Sequence, residues 1–206
     1  MNALAQWQAL LAEPLAFIDR RHLAACFADE VAPTQVQALL KAPRFQARLL
    51  TLLLRTYRLQ PIAQLPEPLA QDLPVLLLSP EVFARLPRLC GAIWHGAALG
   101  REIRREVVEH LRQGLGQEVF SLALAHRQWS GAPDLLRQPD DLLAAIEADG
   151  ARCVQDWLHS QPQSLREWLL LRLPQPHTEA SSKAIDPSLV RRVAGLLATP
   201  DEELAP

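Results

Sequence analysis

The sequence predicts an all-α protein, and three observations carry that prediction. Apolar residues recur at a period near 3.6 in nearly every segment, and no convincing alternation of apolar and polar residues indicates a strand. Residues that start or stop helices border these segments: Pro43 stands at a first turn, and Gly114 and Gly116 follow an apolar stripe. Finally, 49% of the 206 residues are hydrophobic and 21% are charged, which is typical of a globular chain with a sizeable core. We expect a compact orthogonal bundle of many helices.

Four helices are predicted before residue 60, each from apolar residues spaced three or four apart. These residues are Leu4, Trp7 and Leu11 in the first, Phe17, Ile18, Leu23 and Phe27 in the second, Val36, Leu39 and Leu40 in the third, and Phe45, Leu49, Leu50, Leu53 and Leu54 in the fourth.

Residues 60–87 are predicted to be irregular. They contain six prolines, at positions 61, 66, 68, 74, 80 and 87. A proline inside a helix removes a backbone hydrogen bond and clashes with the preceding turn. We therefore expect short turns over the core and no long helix through this segment.

The stretch Gly91–Gly100, GAIWHGAALG, is predicted to be a thin helix against which a second helix lies. Gly91 and Gly96 have the spacing of a phosphate-binding Walker loop, but the lysine and the hydroxyl residue that must follow are absent. By contrast, Ala92, Gly96 and Gly100 are spaced by four, which puts three small residues on one helix face. Such a face lets another backbone approach closely, so we interpret these glycines as structural.

Residues 101–112, REIRREVVEHLR, are predicted to form a helix with Ile103, Val107 and Leu111 inward. Its other positions alternate basic and acidic residues, and Glu102–Arg105, Arg105–Glu109 and Glu109–Arg112 are predicted ion pairs at helical spacing. The pattern favours a solvated face, and a protein-docking face is the alternative interpretation.

The candidate protein-binding residues are Arg101, Arg104, Arg105 and Trp129. Trp7 and Trp129 lie near segment ends, where a tryptophan can serve as an exposed anchor for a partner. We expect the other three tryptophans, Trp94, Trp157 and Trp168, in the core.

The C-terminal half is predicted to hold a buried helix from residue 117, a helix that Asp140 and Asp141 begin, and an apolar segment near residue 168. A break is allowed at Gly150. A polar stretch without periodicity then indicates a linker, and Pro187 opens a last helix. The predicted domains are a helical body over 1–174, a linker over 175–186, and a C-terminal helix and tail over 187–206.

No cofactor, metal or catalytic site is predicted. Cys26, Cys90 and Cys153 are widely spaced in apolar segments, which indicates reduced, buried thiols in a cytosolic protein. Pairs such as His22 and Cys26 lack the spacing of zinc ligands, and no hydrolase motif occurs. A carboxylate pair for general acid–base catalysis has no local signature, so a small all-helical enzyme remains the alternative function.

Charge and hydropathy argue against two classes of partner. A net charge of −2 and an isoelectric point near 6.3 give no overall attraction for nucleic acid or an anionic membrane. The longest charge-free apolar stretch, roughly residues 89–100, is short of the about 20 residues that span a bilayer. The N-terminus has no basic region before its apolar residues, so we expect no secretory leader.

The block LCGAIWHGAALGREIRREVVEHLRQGLGQEVFSLAL, with WLLLRLPQP further on, resembles the YscK/SctK family of bacterial type III secretion. The shared order is a small-residue helix with His95 and Gly96, an IRR segment at 103–105, a glycine-limited turn, a buried helix and an LRLP segment at 171–174. The resemblance covers about 90 residues well and the first 70 poorly.

The resemblance implies a non-enzymatic cytosolic adaptor of the sorting platform, peripheral at the inner-membrane base of the secretion apparatus. Its partners would be the pod protein of the SctQ family and the cytoplasmic domain of the SctD-family ring protein, and indirectly the SctL–ATPase assembly. Neither nucleic-acid binding nor membrane insertion is implied. The family offers no catalytic residues.

Overall fold

The structure, a computed structural model, describes residues 2–27, 35, 38–39, 42–133, 135, 137–173 and 186–198. Over these residues it contains eleven α-helices, four 3₁₀ turns and no strand, which confirms the predicted all-α class. The third predicted helix, around Val36, lies largely outside the described residues. The same is true of the predicted linker except Asp186, and of the tail from residue 199.

The helices are α1 (Ala3–Ala12), α2 (Arg20–Ala25), α3 (Pro43–Tyr57), α4 (Leu73–Leu76), α5 (Pro80–Trp94), α6 (Gly96–Arg101), α7 (Arg105–Leu115), α8 (Gln117–Ala125), α9 (Pro139–His159), α10 (Gln163–Leu170) and α11 (Ser188–Ala198). The 3₁₀ turns lie at Pro14–Phe17, Ile62–Gln64, Ala70–Asp72 and Arg127–Trp129.

The chain divides into two compact units. Unit 1 consists of Met1–Ala84 and Gln161–Pro176, and unit 2 of Arg85–Ser160 and His177–Pro206. The first boundary falls inside α5. The predicted division at 174 and 186 stays a prediction.

The core of unit 1 forms on the apolar face of α3. Leu53 of α3 is fully buried, and the cluster around it draws on segments far apart in sequence. Its buried members are Ile18, Leu23, Leu53, Leu59, Trp168 and Leu171. Because Trp168 and Leu171 come from the returning segment after residue 160, unit 1 needs both parts of the chain to close its core.

Hydrogen bonds fix the returning segment in place. The Asp19 amide donates to the Leu171 carbonyl at 2.8 Å, and the Trp168 indole N–H donates to the Gln60 carbonyl at 2.9 Å. His22 Nε2 donates to the Leu173 carbonyl at 2.8 Å. Each bond gives a buried or half-buried polar group a partner, so the segment is held in register.

Arg172 lies in the interior of unit 1, with only 2% of its surface exposed. Its Nη1 donates to the Leu76 carbonyl at 3.0 Å and its Nη2 donates to the Leu78 carbonyl. The guanidinium carbon also lies 4.4 Å from the centroid of the Phe83 ring, a cation–π distance. Since the carbonyls at the end of α4 have no partner within that helix, Arg172 serves as its C-terminal cap. Burial lowers the pKa of Arg172 to about 10.

The proline-rich segment forms only short helical turns and irregular structure as far as residue 79. Beyond it, α5 begins at Pro80 and runs for 15 residues with Pro87 in its interior, so the prediction of no long helix is wrong here. Pro80 occupies the first turn, where its missing N–H has no consequence. An interior proline costs about 3 kcal/mol. Leu86, Leu89 and Ile93 are at most 1% exposed, and each contributes about 1.5–3 kcal/mol on burial, which outweighs that cost.

Unit 2 is built on a close crossing of α5 and α9. A β-carbon at Gly91 would overlap the Ile146 carbonyl oxygen, and one at Gly150 would overlap the Pro87 carbonyl oxygen. The two helices therefore touch backbone to backbone, and each supplies the glycine that the other requires. Gly150 lies inside the continuous helix α9, so the break allowed there does not occur.

The predicted close approach is correct in kind, but the predicted face is wrong. Gly91 makes the contact with α9, whereas the stripe of Ala92, Gly96 and Gly100 is interrupted because α5 ends at Trp94. Gly96 starts α6 and packs on the end of α8, where an added β-carbon would lie 2.8 Å from the Ala123 carbonyl oxygen.

The C-terminal helix α11 packs on α9 within unit 2. Its Leu189, Val190, Val193 and Ala194 are buried. These four residues lie on one face of the helix, while Leu196 and Leu197 are half-buried.

Candidate protein-docking surface

Ile103 is the most exposed large apolar side chain in the described part of the protein, at 90%. The sequence predicts it on an inward helical stripe, and that prediction is wrong. Helix α6 ends at Arg101 and α7 begins at Arg105, so Ile103 lies in the three-residue connection between them. Of the predicted stripe, Leu111 is buried and Val107 is half-buried.

The connection is closed by one ion pair. Glu102 Oε1 accepts hydrogen bonds from the Arg104 backbone N–H and from Arg104 Nε, both at 2.9 Å, and Oε2 accepts from Nη2 at 2.7 Å. The Arg104 side chain, as the main cause, holds the pKa of Glu102 at about 2. The chelate joins the residues on either side of Ile103, whose own side chain is exposed between them. The predicted pair between Glu102 and Arg105 is replaced by this one.

Helix α6, which leads into the connection, is held firmly at its start. Gly96 packs on the backbone of α8, and the Ala97 N–H donates to Ser130 Oγ at 3.2 Å. Ser130 Oγ in turn donates to the Trp94 carbonyl at 2.7 Å. The exposed loop is therefore attached to a rigid base.

Three arginines lie within two positions of Ile103 in the sequence, and Glu102 directly precedes it. Arg101, Arg104 and Arg105 are exposed, as the sequence suggests for a docking face. Arg127 joins them: a β-carbon placed on Gly100 would lie 3.9 Å from Arg127 Nη1, so this guanidinium lies beside the end of α6. We call the set Arg101, Ile103, Arg104, Arg105 and Arg127 the Ile103 surface.

Trp129 is close to this region but only half-exposed. It ends the 3₁₀ turn Arg127–Trp129, which packs against α6. Its ring stacks on His126 with centroids 4.6 Å apart, and the Arg192 guanidinium carbon lies 5.8 Å from its centroid. Trp129 thus connects α11 to this turn. Trp7, the other predicted exposed anchor, is buried at 5% exposure.

A buried polar cluster in unit 2 has no sequence signal, because its members are 54 positions apart. His95 is 1% exposed, and its Nε2 donates to Asp149 Oδ2 at 2.8 Å. Asp149 also accepts from Arg152 Nη2. Burial lowers the pKa of His95, and Asp149 offsets only part of that shift. The lowered pKa favours a neutral His95, which lies between the end of α5 and the start of α6.

The cysteines are free thiols, and the predicted burial is confirmed for two of the three. Cys90 and Cys153 are fully buried and Cys26 is half-buried. Burial, with Cys153 nearby, raises the pKa of Cys90 well above its ordinary value, and burial raises the pKa of Cys153 to about 12. Within the described ranges, no group of three or more histidine, cysteine, aspartate or glutamate side chains is arranged to hold a metal ion.

Unit 1 contains an open groove of about 1250 Å³ between α1, α2 and the starts of α3 and α5. Three carboxylates line it: Glu13, Asp19 and Glu81. A hydrogen bond from the Arg21 side chain is the main cause that lowers the pKa of Asp19, and bonds from its own N–H and from Ser79 lower the pKa of Glu81. The lowered pKa values keep Asp19 and Glu81 ionised, which suits a charged rim more than a general acid.

No helix in the described part of the chain combines the length and the apolar character needed to cross a bilayer.

The comparisons with known proteins give a partial similarity. The chain is 31% identical over 90 residues to nodulation protein NolU of Rhizobium fredii, and equally to nodulation protein NolU of Sinorhizobium fredii. Each match covers 44% of this chain and 42% of the relative, so less than half of that protein's length is spanned. Neither relative carries a name from the YscK/SctK family. No known family matches the sequence, and no solved structure matches it. Membership of the YscK/SctK family stays a prediction.

Proposed function

We propose that the chain is a non-enzymatic adaptor of the type III secretion sorting platform. It would link the cytoplasmic domain of the SctD-family ring protein to the SctQ-family pod protein, which holds the SctL–ATPase assembly, and it would lie in the cytoplasm at the base of the inner membrane. The single observation that supports an adaptor best is Ile103, exposed at 90% on a fixed loop.

An exposed isoleucine on an ordered loop suits a docking role for a thermodynamic reason. Its side chain adds nothing to the core, and burying it against a partner would contribute about 1.5–3 kcal/mol. Because the Glu102–Arg104 chelate already orders the loop, binding would lose little conformational entropy there. Central apolar anchors with a charged rim are typical of protein interfaces.

The identity of the partners rests on the sequence resemblance to the YscK/SctK family. The partial similarity to a nodulation protein is compatible with this proposal but does not carry it, because that name states neither an assembly nor a partner.

The test is affinity capture of the tagged chain from its native host under secretion-inducing conditions, with mass spectrometry of the bound proteins. We expect the pod and ring proteins to be captured together, and pod-dependent partners to be lost in a strain without the pod protein. Recovery of the chain alone, or with metabolic enzymes, would contradict the proposal.

A small helical enzyme is the second candidate, and the groove of unit 1 with its three carboxylates is the observation that favours it. A Glu13→Gln, Glu81→Gln variant separates the two functions. An adaptor should retain secretion at wild-type level with this variant, once its thermal midpoint is shown to be unchanged. Loss of function in the folded variant would favour the enzyme.

A further inference from the structure

We propose that the Ile103 surface recognises an acidic protein segment, in which an apolar cleft bordered by carboxylates receives the Ile103 side chain. This inference deepens the proposed adaptor function and rests on it. It adds the location of one interface and the chemistry of the partner.

The first argument is the way Ile103 is presented. The side chain is 90% exposed, and the residues on either side of it are joined by a chelate of three hydrogen bonds. An apolar side chain held outward on an ordered loop is complementary to a cleft.

The second argument is charge. Residues 101–106 and the adjoining Arg127 together contain four arginines and two glutamates, which is an excess of two positive charges. One of those glutamates, Glu102, is bound to Arg104, and the other, Glu106, is exposed in the first turn of α7. The chain as a whole has a net charge of −2, so this excess is local. A partner that places carboxylates around the cleft is favoured over a neutral or basic one.

The third argument distinguishes a protein from a lipid surface, since arginines around an apolar tip also suit an anionic membrane. Stable membrane anchoring takes more than one strong signal, such as a lipid chain with a polybasic patch. One isoleucine and an excess of two charges fall short of that. A protein cleft, by contrast, can enclose the whole isoleucine side chain and place carboxylates beside the arginines in a defined geometry.

The first experiment is site-specific photo-cross-linking in the native host under secretion-inducing conditions. The full chain carries p-benzoylphenylalanine at position 103, and in the matched control at Leu69, an exposed leucine of unit 1 at 62% exposure. We expect a discrete adduct from position 103 that is absent at 69. The cross-linked peptide should contain an apolar cleft residue within a few positions of aspartate or glutamate.

The second experiment measures affinity between the purified full chain and the purified protein identified in the adduct. Ile103→Asp should weaken binding by about tenfold or more, from the loss of one buried side chain. Arg101→Glu with Arg105→Glu should weaken it by about tenfold, and the difference from wild type should shrink as salt is raised. Ile103→Ala serves as a second variant, and unchanged circular dichroism of each variant confirms the fold.

The third experiment tests the lipid source directly. The full chain is sedimented with vesicles of phosphatidylglycerol and phosphatidylethanolamine. We expect no sedimentation above the level of neutral phosphatidylcholine vesicles. Sedimentation that Ile103→Asp abolishes would overturn the proposal in favour of a membrane.

The outcomes separate this inference from the adaptor function. If pod and ring proteins are captured normally by Ile103→Asp and position 103 gives no adduct, the surface assignment is wrong while the adaptor function stands. If a partner cross-links at 103 through a basic or neutral segment and binding is independent of salt, the acidic chemistry is wrong. If the acidic adduct forms with a protein outside the secretion apparatus, the surface assignment stands and the sorting-platform assignment fails.

Discussion

The two units solve the same packing problem in opposite ways. In unit 1 a large charged side chain, Arg172, occupies the interior and satisfies the carbonyls at the end of α4. In unit 2 two glycines remove side chains altogether, so α5 and α9 touch through their backbones. Hydrogen bonds from a buried side chain stabilise the interior of unit 1. Direct backbone contact, which only glycine allows, stabilises the interior of unit 2.

The difference teaches which changes each unit tolerates. A buried cation can be exchanged for an apolar side chain of similar size at a moderate cost, because what is lost is a set of hydrogen bonds. A backbone–backbone contact has no soft atom to move, so even one added carbon must push the helices apart. The expected effects follow this order.

Gly91→Ala and Gly150→Ala should each give the largest effect. The new β-carbon would overlap a carbonyl oxygen of the facing helix, and we expect a loss of more than about 3 kcal/mol in the free energy of unfolding, or failure to fold. Denaturant unfolding followed by circular dichroism measures it.

Gly195→Ala on α11 is the matched control, because a β-carbon there meets no atom within 4 Å. It should raise stability by up to about 1 kcal/mol, since alanine favours helix over glycine. Equal gains in stability from all three substitutions would show that helix propensity, and not the crossing, decides.

Arg172→Met should give the next largest effect. The variant keeps the apolar volume but leaves the Leu76 and Leu78 carbonyls without their guanidinium donors, at a cost of about 2–4 kcal/mol. Hydrogen exchange should locate the loss of protection in unit 1, while the amides of α9 in unit 2 keep theirs. Arg172→Lys retains the charge but only part of the bonding and should fall between wild type and Arg172→Met.

His95 should make stability depend on pH in the mildly acidic range. Burial lowers its pKa in the folded state, so the unfolded chain binds a proton that the folded chain resists. Stability from this group is therefore complete above the ordinary histidine pKa of about 6.5 and decreases as pH falls below it. His95→Gln, which keeps a polar group near Asp149, should flatten that part of the profile. An unchanged slope would contradict the role given to His95.

The thiols should show the smallest effect. Cys26 is half-buried and should react first with a thiol reagent, although burial raises its pKa as well. Cys90 and Cys153 should react only as fast as unit 2 opens. Gly150→Ala should speed their labelling if it folds, whereas Arg172→Met should not, which sharpens the contrast between the units.

Sequence alone predicts the local features of this fold and misses the ones that depend on distant partners. Periodicity indicates the helices, and it places Leu49 and Leu53 correctly on the inner face of α3. The glycines predict a close approach between two helix backbones. Their spacing does not identify Gly150 as the partner of Gly91, because the crossing point depends on tertiary packing. Pro87 leads to a wrong prediction for the same reason. The burial of its neighbours in the tertiary structure outweighs the local preference of proline against a helix interior.

The candidate docking residues show the same limit. Arg101, Arg104 and Arg105 are exposed, as their charge suggests. Ile103 fits the helical period of Val107 and Leu111, so the pattern predicts it inward. Helix α6 instead ends at Arg101, and Ile103 lies in the connection that the Glu102–Arg104 chelate closes. Arg172 and the pair of His95 with Asp149 have no local signal at all.

The adaptor function is tested most directly by replacing the chromosomal copy in the native host with Ile103→Asp and, separately, with Leu69→Asp, and measuring type III secretion together with recruitment of the pod protein to the ring. Both positions are exposed, at 90% and 62%, and neither variant should lose stability. We expect Ile103→Asp to reduce recruitment and secretion together and Leu69→Asp to leave both at wild-type level. The adaptor function would be contradicted if Ile103→Asp leaves secretion and recruitment at wild-type level and the same variant also captures neither the pod protein nor the ring protein.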